Sequence, residues 1–246
     1  YPGATDYQER GGNMSVKFTA DIVHRLLGVR EAQQAPAALM KIVMDQQKRN
    51  DLFKEFLDVS TDVSHDWFSQ YFMSVQADRK DKKQDFTPES ISKLVNMLVG
   101  SSDSSEYYDV AAGTGSMMIQ RWHQDRLKHK PWNYRPSMYF YHLEELGDST
   151  LPFLIFNCAI RGMNATIVHG DSLTRAARQV YFIQNDEDDY LRFSTVNVMP
   201  HSTDVEQEFD IRQWLEPEQN HIESTEIPAI YNEVIQELAA GKEPDQ

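Results

Sequence analysis

The spacing of apolar residues divides the chain into a helical first part and a second part in which strands and helices alternate. From about residue 15 to residue 83, apolar residues recur every three or four positions, as in AALMKIVMDQQKRNDLFKEFL and HDWFSQYFMSVQA. This is the period of amphipathic helices, so the pattern predicts two or three helices, interrupted by the polar stretch DVSTDVS. Residues 1–13 have glycine, proline and polar residues without a period and predict a flexible arm.

The segment QDFTPESISKLVNMLVG predicts one more helix before the pattern changes. Thr87 can be its N-cap, Pro88 its first residue and Gly100 its stop.

Beyond residue 105 the pattern predicts strands YYDVA, MYFYHLEEL, NATIVHGD and FSTVNVMP, with helices GSMMIQRWHQDRL and DSTLPFLIFNCAIRG between the first three. This alternation indicates an α/β fold with a doubly wound parallel sheet. RQVYFIQNDEDDYLRF, before the fourth strand, could form a hairpin with an acidic turn, and EFDIRQWL is a candidate short helix. The predicted units are the arm (1–13), a helical segment (14–83), an α/β domain (84–215) and an acidic tail with a short helix (216–246).

Composition adds constraints on location and partners. No apolar run approaches the ~18 residues of a membrane span, and the single cysteine, Cys158, excludes an internal disulfide framework. We therefore expect a soluble cytoplasmic protein that binds neither membrane nor metal. The net charge is −14, yet residues 181–246 hold 16 acidic residues against three basic ones, so the remainder is nearly neutral. An acidic tail is usually solvated surface, and the remainder can still offer a basic patch to phosphates.

The first strand ends in a carboxylate followed by a glycine turn. In Asp109–Gly115 (DVAAGTG), Gly113 and Gly115 would let the backbone approach a ligand, and the next helix offers amide donors at its N-terminus. The same turn can also be only a tight connection. Met118 occupies the position of the third glycine, so the dinucleotide-binding fingerprint is incomplete.

Two further carboxylates follow the next two strands. Glu145 is placed to accept hydrogen bonds from ribose hydroxyls, and Asp171 could accept one from an adenine amine. Taken alone, Glu145 could be a carboxylate at a helix N-terminus, and Asp171 could be an N-cap. Three carboxylates at three successive strand ends, with a glycine turn after the first, together predict an adenosine-containing cofactor.

As an ordered set, QDFTPESISKLV, YYDVAAGTGSM and LEELGDSTLPFLIFNCAIRGMNATIVHGDSL resemble the N6-adenine DNA methyltransferases, and most of all the methylase subunits of type I restriction–modification systems. The resemblance covers about residues 84–200. The matching residues are Gln84, Phe86, Thr87, Pro88, Asp109, Ala111, Gly113, Thr114, Gly115, Glu145, Asn157, Gly162, His169, Gly170 and Asp171.

The resemblance implies a class I methyltransferase (Rossmann-like) sheet that ends in an antiparallel strand, with S-adenosyl-L-methionine as cofactor. It implies that Phe86 and Thr87 lie along the methionine portion. It also implies that the turn of Asp109, Ala111, Gly113, Thr114 and Gly115 frames the methionine and ribose. Glu145 would bind the ribose hydroxyls and Asp171 the adenine amine.

The chain departs from the family at the catalytic motif, Asn-Pro-Pro-Tyr or Asn-Pro-Pro-Phe, which follows the fourth strand. Such enzymes flip the adenine out, stack it on the aromatic ring and accept its N–H groups with the Asn oxygen and a Pro carbonyl. Here the sequence is FSTVNVMPHS, with Met199 at the Asn position and Ser202 at the aromatic position. The candidate catalytic residues are therefore Asn197, in a shifted register, with Pro200 and His201.

The resemblance also implies DNA as substrate and a separate specificity subunit as partner. The basic and aromatic stretch RWHQDRLKHKPWNYR could be a nucleic-acid face or a charged helix end followed by a packed loop. Two alternatives to a DNA adenine methyltransferase stay open. One is a degenerate member that binds cofactor or partner without methyl transfer, and the other is a methyltransferase for a non-DNA substrate.

Overall fold

Capping residues set the bounds of the helices in the first part of the chain. The computed structural model describes residues 18–69, 71–72 and 104–225. The first three helices are α1 (Ala20–Leu27), α2 (Ala35–Val43) and α3 (Gln46–Val59). Thr19 Oγ1 accepts the amide hydrogen of Ile22 at the start of α1, and Asp45 Oδ1 accepts that of Lys48 at the start of α3. The helical prediction for AALMKIVMDQQKRNDLFKEFL is confirmed by α2 and α3. Of the helix predicted over HDWFSQYFMSVQA, residues 65–68 are not helical, residues 69 and 71–72 are, and residues 70 and 73–77 lie outside the described residues. The predicted arm 1–13 and the helices predicted in 84–100 and in the tail lie outside the described residues.

A mixed six-stranded sheet forms the second part. Its strands are β1 (Glu106–Asp109), β2 (Phe140–Glu145), β3 (Ala165–Asp171), β4 (Ala176–Gln184), β5 (Thr195–Val198) and β6 (Gln213–Trp214). Their order is β1-β2-β3-β4-β5, with β6 pairing β4. β1, β2 and β3 are mutually parallel, whereas β4 is antiparallel to β3 and β5. The first three strands follow the predicted alternation, and the α/β class is confirmed.

Two helices connect the parallel strands. They are α4 (Ser116–Leu127) and α5 (Leu151–Ile160). Every residue of α5 is buried, because it lies between the sheet and α2. This explains why LPFLIFNCAI is apolar on all sides rather than amphipathic.

The strands present opposite faces to two cores of unequal size. Inward residues of β2 to β5 join the helices in the larger core, in rows such as Leu143, Ile167, Tyr181 and Val198. The other face carries a smaller cluster around Val168 and Val180, which α6 (Thr203–Glu208) and β6 cover. The alternation of side chains along a strand produces this division.

The fourth predicted strand does not continue the parallel sheet. β4 and β5 are joined by only residues 185–194 and pair antiparallel. Parallel pairing needs a crossover of a dozen or more residues, so this acidic connection permits only a hairpin. RQVYFIQ thus becomes a full strand of the sheet, as the hairpin interpretation allowed, and FSTVNVMP is its partner.

The predicted short helix EFDIRQWL is wrong. The helix α6 ends at Glu208, before most of this stretch, and Asp210 has a positive φ of 48° that no helix accommodates. Gln213 and Trp214 then pair with β4 as β6.

The described helices of the first part share the larger core with the sheet. Phe53 on α3 packs edge-on against Phe156 on α5 and against Phe193 in the β4–β5 connection, with ring centroids 4.8 and 5.0 Å apart. Phe56 packs against Phe156 as well. The division of the chain into units at residue 83 stays a prediction, but these contacts join the described parts on its two sides.

A buried ion pair joins α3 to the end of the described chain. The Arg49 guanidinium donates to both Glu223 oxygens at 2.7 and 2.6 Å, and the two side chains are 0% and 5% exposed. Arg49 also donates to the carbonyl of Val43, and Glu223 accepts the amide hydrogen of Val196 on β5. The Arg49 charge is therefore compensated by Glu223, whereas Glu223 Oε1 also lies 3.1 Å from His221 Nε2.

We expect Glu223→Ala to lower the free energy of unfolding by about 3–5 kcal/mol, because it leaves the Arg49 charge buried without its partner. The control is Glu187→Ala, whose ion pair with Arg192 is about 60% exposed and should change stability by less than about 0.5 kcal/mol. Urea unfolding of both variants measures the difference. Equal losses of unfolding free energy would show that the buried ion pair stabilises the protein no more than the exposed one.

Candidate functional site

A cavity opens where β1, β2 and β3 end. It has a volume of about 360 Å³ and is lined by residues 109–114, 116–117, 145–146 and 170–173. Because the strands are parallel, their carboxyl ends meet at one edge of the sheet, which is where α/β folds bind ligands. The predicted residues Asp109, Glu145 and Asp171 all line this one cavity.

The glycine turn forms one wall of the cavity. Gly113 and Gly115 have positive φ values of 60° and 91°, which few residues other than glycine adopt. Ala111 donates its amide hydrogen to Asp109 Oδ1, so this carboxylate closes the start of the turn. Gly115 is the N-cap of α4, and the first two residues of that helix, Ser116 and Met117, line the cavity.

Packing also disfavours a side chain at position 115. A Cβ there would lie 2.7 Å from Met118 Cε and 2.9 Å from Leu154 Cδ1, whereas a Cβ at Gly113 would meet nothing within 4 Å. Gly113 therefore borders open space, and Gly115 lets α4 pack against α5.

Glu145 links the end of β2 to the glycine turn. It is 6% exposed. Its Oε2 accepts the amide hydrogen of Gly113, and its Oε1 accepts those of Gly147 and of the Thr150 hydroxyl, each at 2.7 Å. A carboxylate offers about four acceptor positions, so one remains for a ligand hydroxyl.

Asp171 forms the third strand end. Its Oδ1 accepts the amide hydrogens of Leu173 and Thr174, which makes it the cap of the β3–β4 turn. The Leu173 amide is the main reason that the pKa of this carboxyl lies below its usual value. The exposed side chains of Leu146 and Leu173 stand in the same cavity and offer apolar contact to a ligand ring.

Charge limits the kind of ligand that fits the cavity. The described lining has three carboxylates, Asp109, Glu145 and Asp171, and no lysine or arginine. Such a field attracts a cationic ligand and disfavours a free phosphate. Phe86 and Thr87, predicted to line the methionine end, lie outside the described residues. The assignment of these residues to a cofactor stays a prediction.

The candidate catalytic residues lie away from the cavity. β4 separates β5 from β3, so Asn197 on β5 is two strand spacings, about 10 Å, from β3. Asn197 Oδ1 accepts the amide hydrogens of Glu223 and Ser224, and His201 stacks on Trp214 with centroids 3.6 Å apart.

The side chains of His201 and of the adjacent Ser202 also have structural partners. His201 Nε2 lies 3.2 Å from Gln179 Oε1, and the Ser202 hydroxyl accepts the Val205 amide hydrogen as the N-cap of α6. Within the described chain, the cavity lining contains none of Asn197, Pro200 and His201. The structure thus does not bring the two predicted groups of site residues together.

The basic and aromatic stretch is mostly engaged in internal contacts. Arg121 pairs with the buried Asp125, to which Lys128 also donates, and the Arg126 guanidinium lies 4.8 Å from the Trp122 ring centre. These contacts agree with a charged helix end and packed loop. They leave Lys130, Trp132 and Arg135 exposed.

A buried polar cluster behind the glycine turn was not predicted. Asp66, 6% exposed, accepts hydrogen bonds from Thr114, Ser116 and Asn157. Arg161 donates to Asn157 and to carbonyls in the loop before Asp66. Burial lowers the pKa of Arg161 to about 10, an effect that the Asp66 charge opposes. The sequence feature that could have indicated this cluster is an acidic residue, Asp66, directly before the apolar pair Trp67 and Phe68 in a helical pattern.

The parallel strands, the covering helices and a cavity at the carboxyl strand ends define a Rossmann-like methyltransferase fold. A family model described as N-6 DNA Methylase matches residues 60–211, more than half of the 246 residues. The chain belongs to the N-6 DNA Methylase family. The match begins before residue 84 and includes Asp66.

A comparison with curated proteins finds no match. Over the ranges 18–69, 71–72 and 104–225, no helix combines the length and apolar character needed to cross a bilayer.

The two glycines of the turn should differ in their tolerance of a methyl group. We expect Gly115→Ala to cost about 2–4 kcal/mol of unfolding free energy, because strain at positive φ adds to overpacking. Gly113→Ala should cost only about 1 kcal/mol, because positive φ is the sole penalty. Thermal and urea unfolding of both variants tests this. Equal costs would contradict the packing role of Gly115.

Proposed function

We propose that this N-6 DNA Methylase family member binds S-adenosyl-L-methionine in the cavity at the ends of β1, β2 and β3. The observation that carries the proposal is the meeting of Asp109, Glu145 and Asp171 around one cavity beside a glycine turn. Members of this family typically depend on that cofactor. Its sulfonium and ammonium groups are positive, which suits a lining with three carboxylates and no basic side chain among the described residues.

In this proposal, the residues at each of the three strand ends bind a different part of the cofactor. Glu145 has one acceptor position left and takes one of the ribose hydroxyls, and Asp171 takes the adenine amine between Leu146 and Leu173. Asp109 and Gly113 frame the methionine and ribose portions, where the absence of a side chain at Gly113 leaves room for the ligand.

The proposed reaction is N6 methylation of adenine in DNA, with this chain acting in the manner of a type I modification subunit beside a separate specificity subunit. Adenine nitrogen is a weak nucleophile, so such transfer depends on positioning the amine in line with the methyl group. The resemblance of the ordered motifs to that class of subunit supports the assignment.

A cofactor-binding module without methyl transfer is the second candidate. It is favoured by one observation: Asn197 and His201 lie outside the cavity, where Asn197 Oδ1 accepts the amide hydrogens of Glu223 and Ser224 and His201 Nε2 lies beside Gln179 Oε1.

Titration calorimetry tests the cofactor proposal. We expect wild-type protein to bind S-adenosyl-L-methionine, and Asp109→Ala and Glu145→Ala each to weaken binding by about tenfold or more, since each removes a charged hydrogen-bond acceptor. Glu144→Ala is the matched control, because Glu144 faces the other side of the sheet and pairs with Arg175. No heat from folded wild-type protein would sink the proposal.

A methyl-transfer assay separates the two candidates. The chain is incubated with labelled cofactor and unmethylated duplex DNA, with and without a candidate specificity subunit. The proposed reaction predicts label in N6-methyladenine when the specificity subunit is present, whereas the binding-module candidate predicts none in either incubation. Label in that product, lost in Glu145→Ala, would overturn the binding-module candidate.

A further inference from the structure

Asp66 is a buried carboxylate that lies between the helical first part of the chain and the glycine turn. It follows α3 in the loop 60–67 and is 6% exposed. Its Oδ2 accepts from the hydroxyls of Thr114 at 2.5 Å and Ser116 at 2.8 Å. Its Oδ1 accepts from Asn157 Nδ2 at 3.0 Å and from the Phe68 amide at 2.9 Å.

These hydrogen bonds fix the residues that precede and follow Gly115 in the sequence. Thr114 precedes that glycine, and Ser116 follows it as the first residue of α4. Asn157 on α5 also donates to the Thr114 carbonyl at 2.7 Å, so one cluster fixes side chain and backbone of the turn. Thr114 and Ser116 themselves line the cavity.

The loop that carries Asp66 is itself anchored to the α/β part. Arg161, 3% exposed, donates to the carbonyls of Val63 and His65 at 2.9 and 2.8 Å. The same guanidinium donates to Asn157 Oδ1 at 2.9 Å. The position of Asp66 is therefore set by α5 as well as by its own loop.

A turn with two glycines needs such support. Glycine loses more conformational freedom on ordering than other residues, so an unsupported turn would bind a ligand only after paying that entropy. A turn that is already ordered avoids this cost on binding. Hydroxyl hydrogen bonds to a buried carboxylate are of the strong, charge-assisted kind.

We propose that Asp66 is a positioning residue for the cofactor: it holds the turn at Thr114–Ser116 in the binding conformation and makes cofactor affinity depend on the helical first part of the chain. This inference rests on the proposed binding of S-adenosyl-L-methionine. It assigns a role in the site to a residue that lies outside the cavity lining and 43 positions before Asp109 in sequence.

The main experiment compares Asp66→Asn with two controls. Asp62→Asn changes a carboxylate of the same loop that is 57% exposed and that contacts Ser64 and His65, two residues of that loop. Val196→Ala shortens a fully buried side chain on β5 and lowers stability without contact with the turn. Calorimetry gives the affinity for S-adenosyl-L-methionine, and amide hydrogen exchange of residues 112–118 gives the order of the turn.

We expect Asp66→Asn to weaken binding by about tenfold and to speed exchange at residues 112–118, with both controls unchanged. If Asp66 affected binding only through the overall stability of the protein, Val196→Ala would also lose affinity, in proportion to its fall in melting temperature. That result, or wild-type affinity in Asp66→Asn, would overturn the proposal.

The two proposals fail in different ways. If wild-type protein binds no cofactor, the proposed function fails, and the exchange rates still decide whether Asp66 orders the turn. If Asp66→Asn does not fold, Ser116→Ala, which removes one donor to Asp66, should speed exchange at the same amides. Unchanged exchange in that variant would contradict the positioning role.

Discussion

The parallel direction of β1, β2 and β3 is the constraint on which the candidate site depends. Parallel strands require crossover helices, and these crossovers bring each strand back to end at the same edge. Asp109, Glu145 and Asp171 are far apart in sequence, yet they meet there. Glu145 completes the arrangement, since its bond to the Gly113 amide joins the end of β2 to the turn after β1.

The helical first part does more than cover the sheet. Its aromatic residues share the larger core with α5, and two of its buried charged residues, Arg49 and Asp66, reach opposite ends of the α/β part. A buried charge is tolerated only with partners, and these partners come from distant segments. The cavity wall and the end of the described chain are thereby tied to the same group of helices.

In this family the catalytic motif follows the fourth strand. The hairpin of β4 and β5 explains why the residues at that place in this chain make structural contacts instead of lining the cavity. The short acidic connection forces antiparallel pairing and places β4 between β5 and the cavity strands. Asn197 binds the amides of the following segment, and His201 stacks on Trp214. These contacts give Asn197 and His201 a role in holding β6 and residues 218–223 against the sheet.

Local pattern by itself determined the helices of the first part, the three parallel strands with their helices, and the carboxylates at the strand ends. These follow from apolar periodicity and from glycine and capping residues, which act within a few positions of one another. The direction of β5 could have been inferred from the length of its connection, but the pattern of FSTVNVMP is the same for either direction. Only the tertiary structure decided that Asp66 reaches Thr114 and that Asn197 turns away from the cavity. Both depend on contacts between residues distant in sequence, which periodicity does not encode.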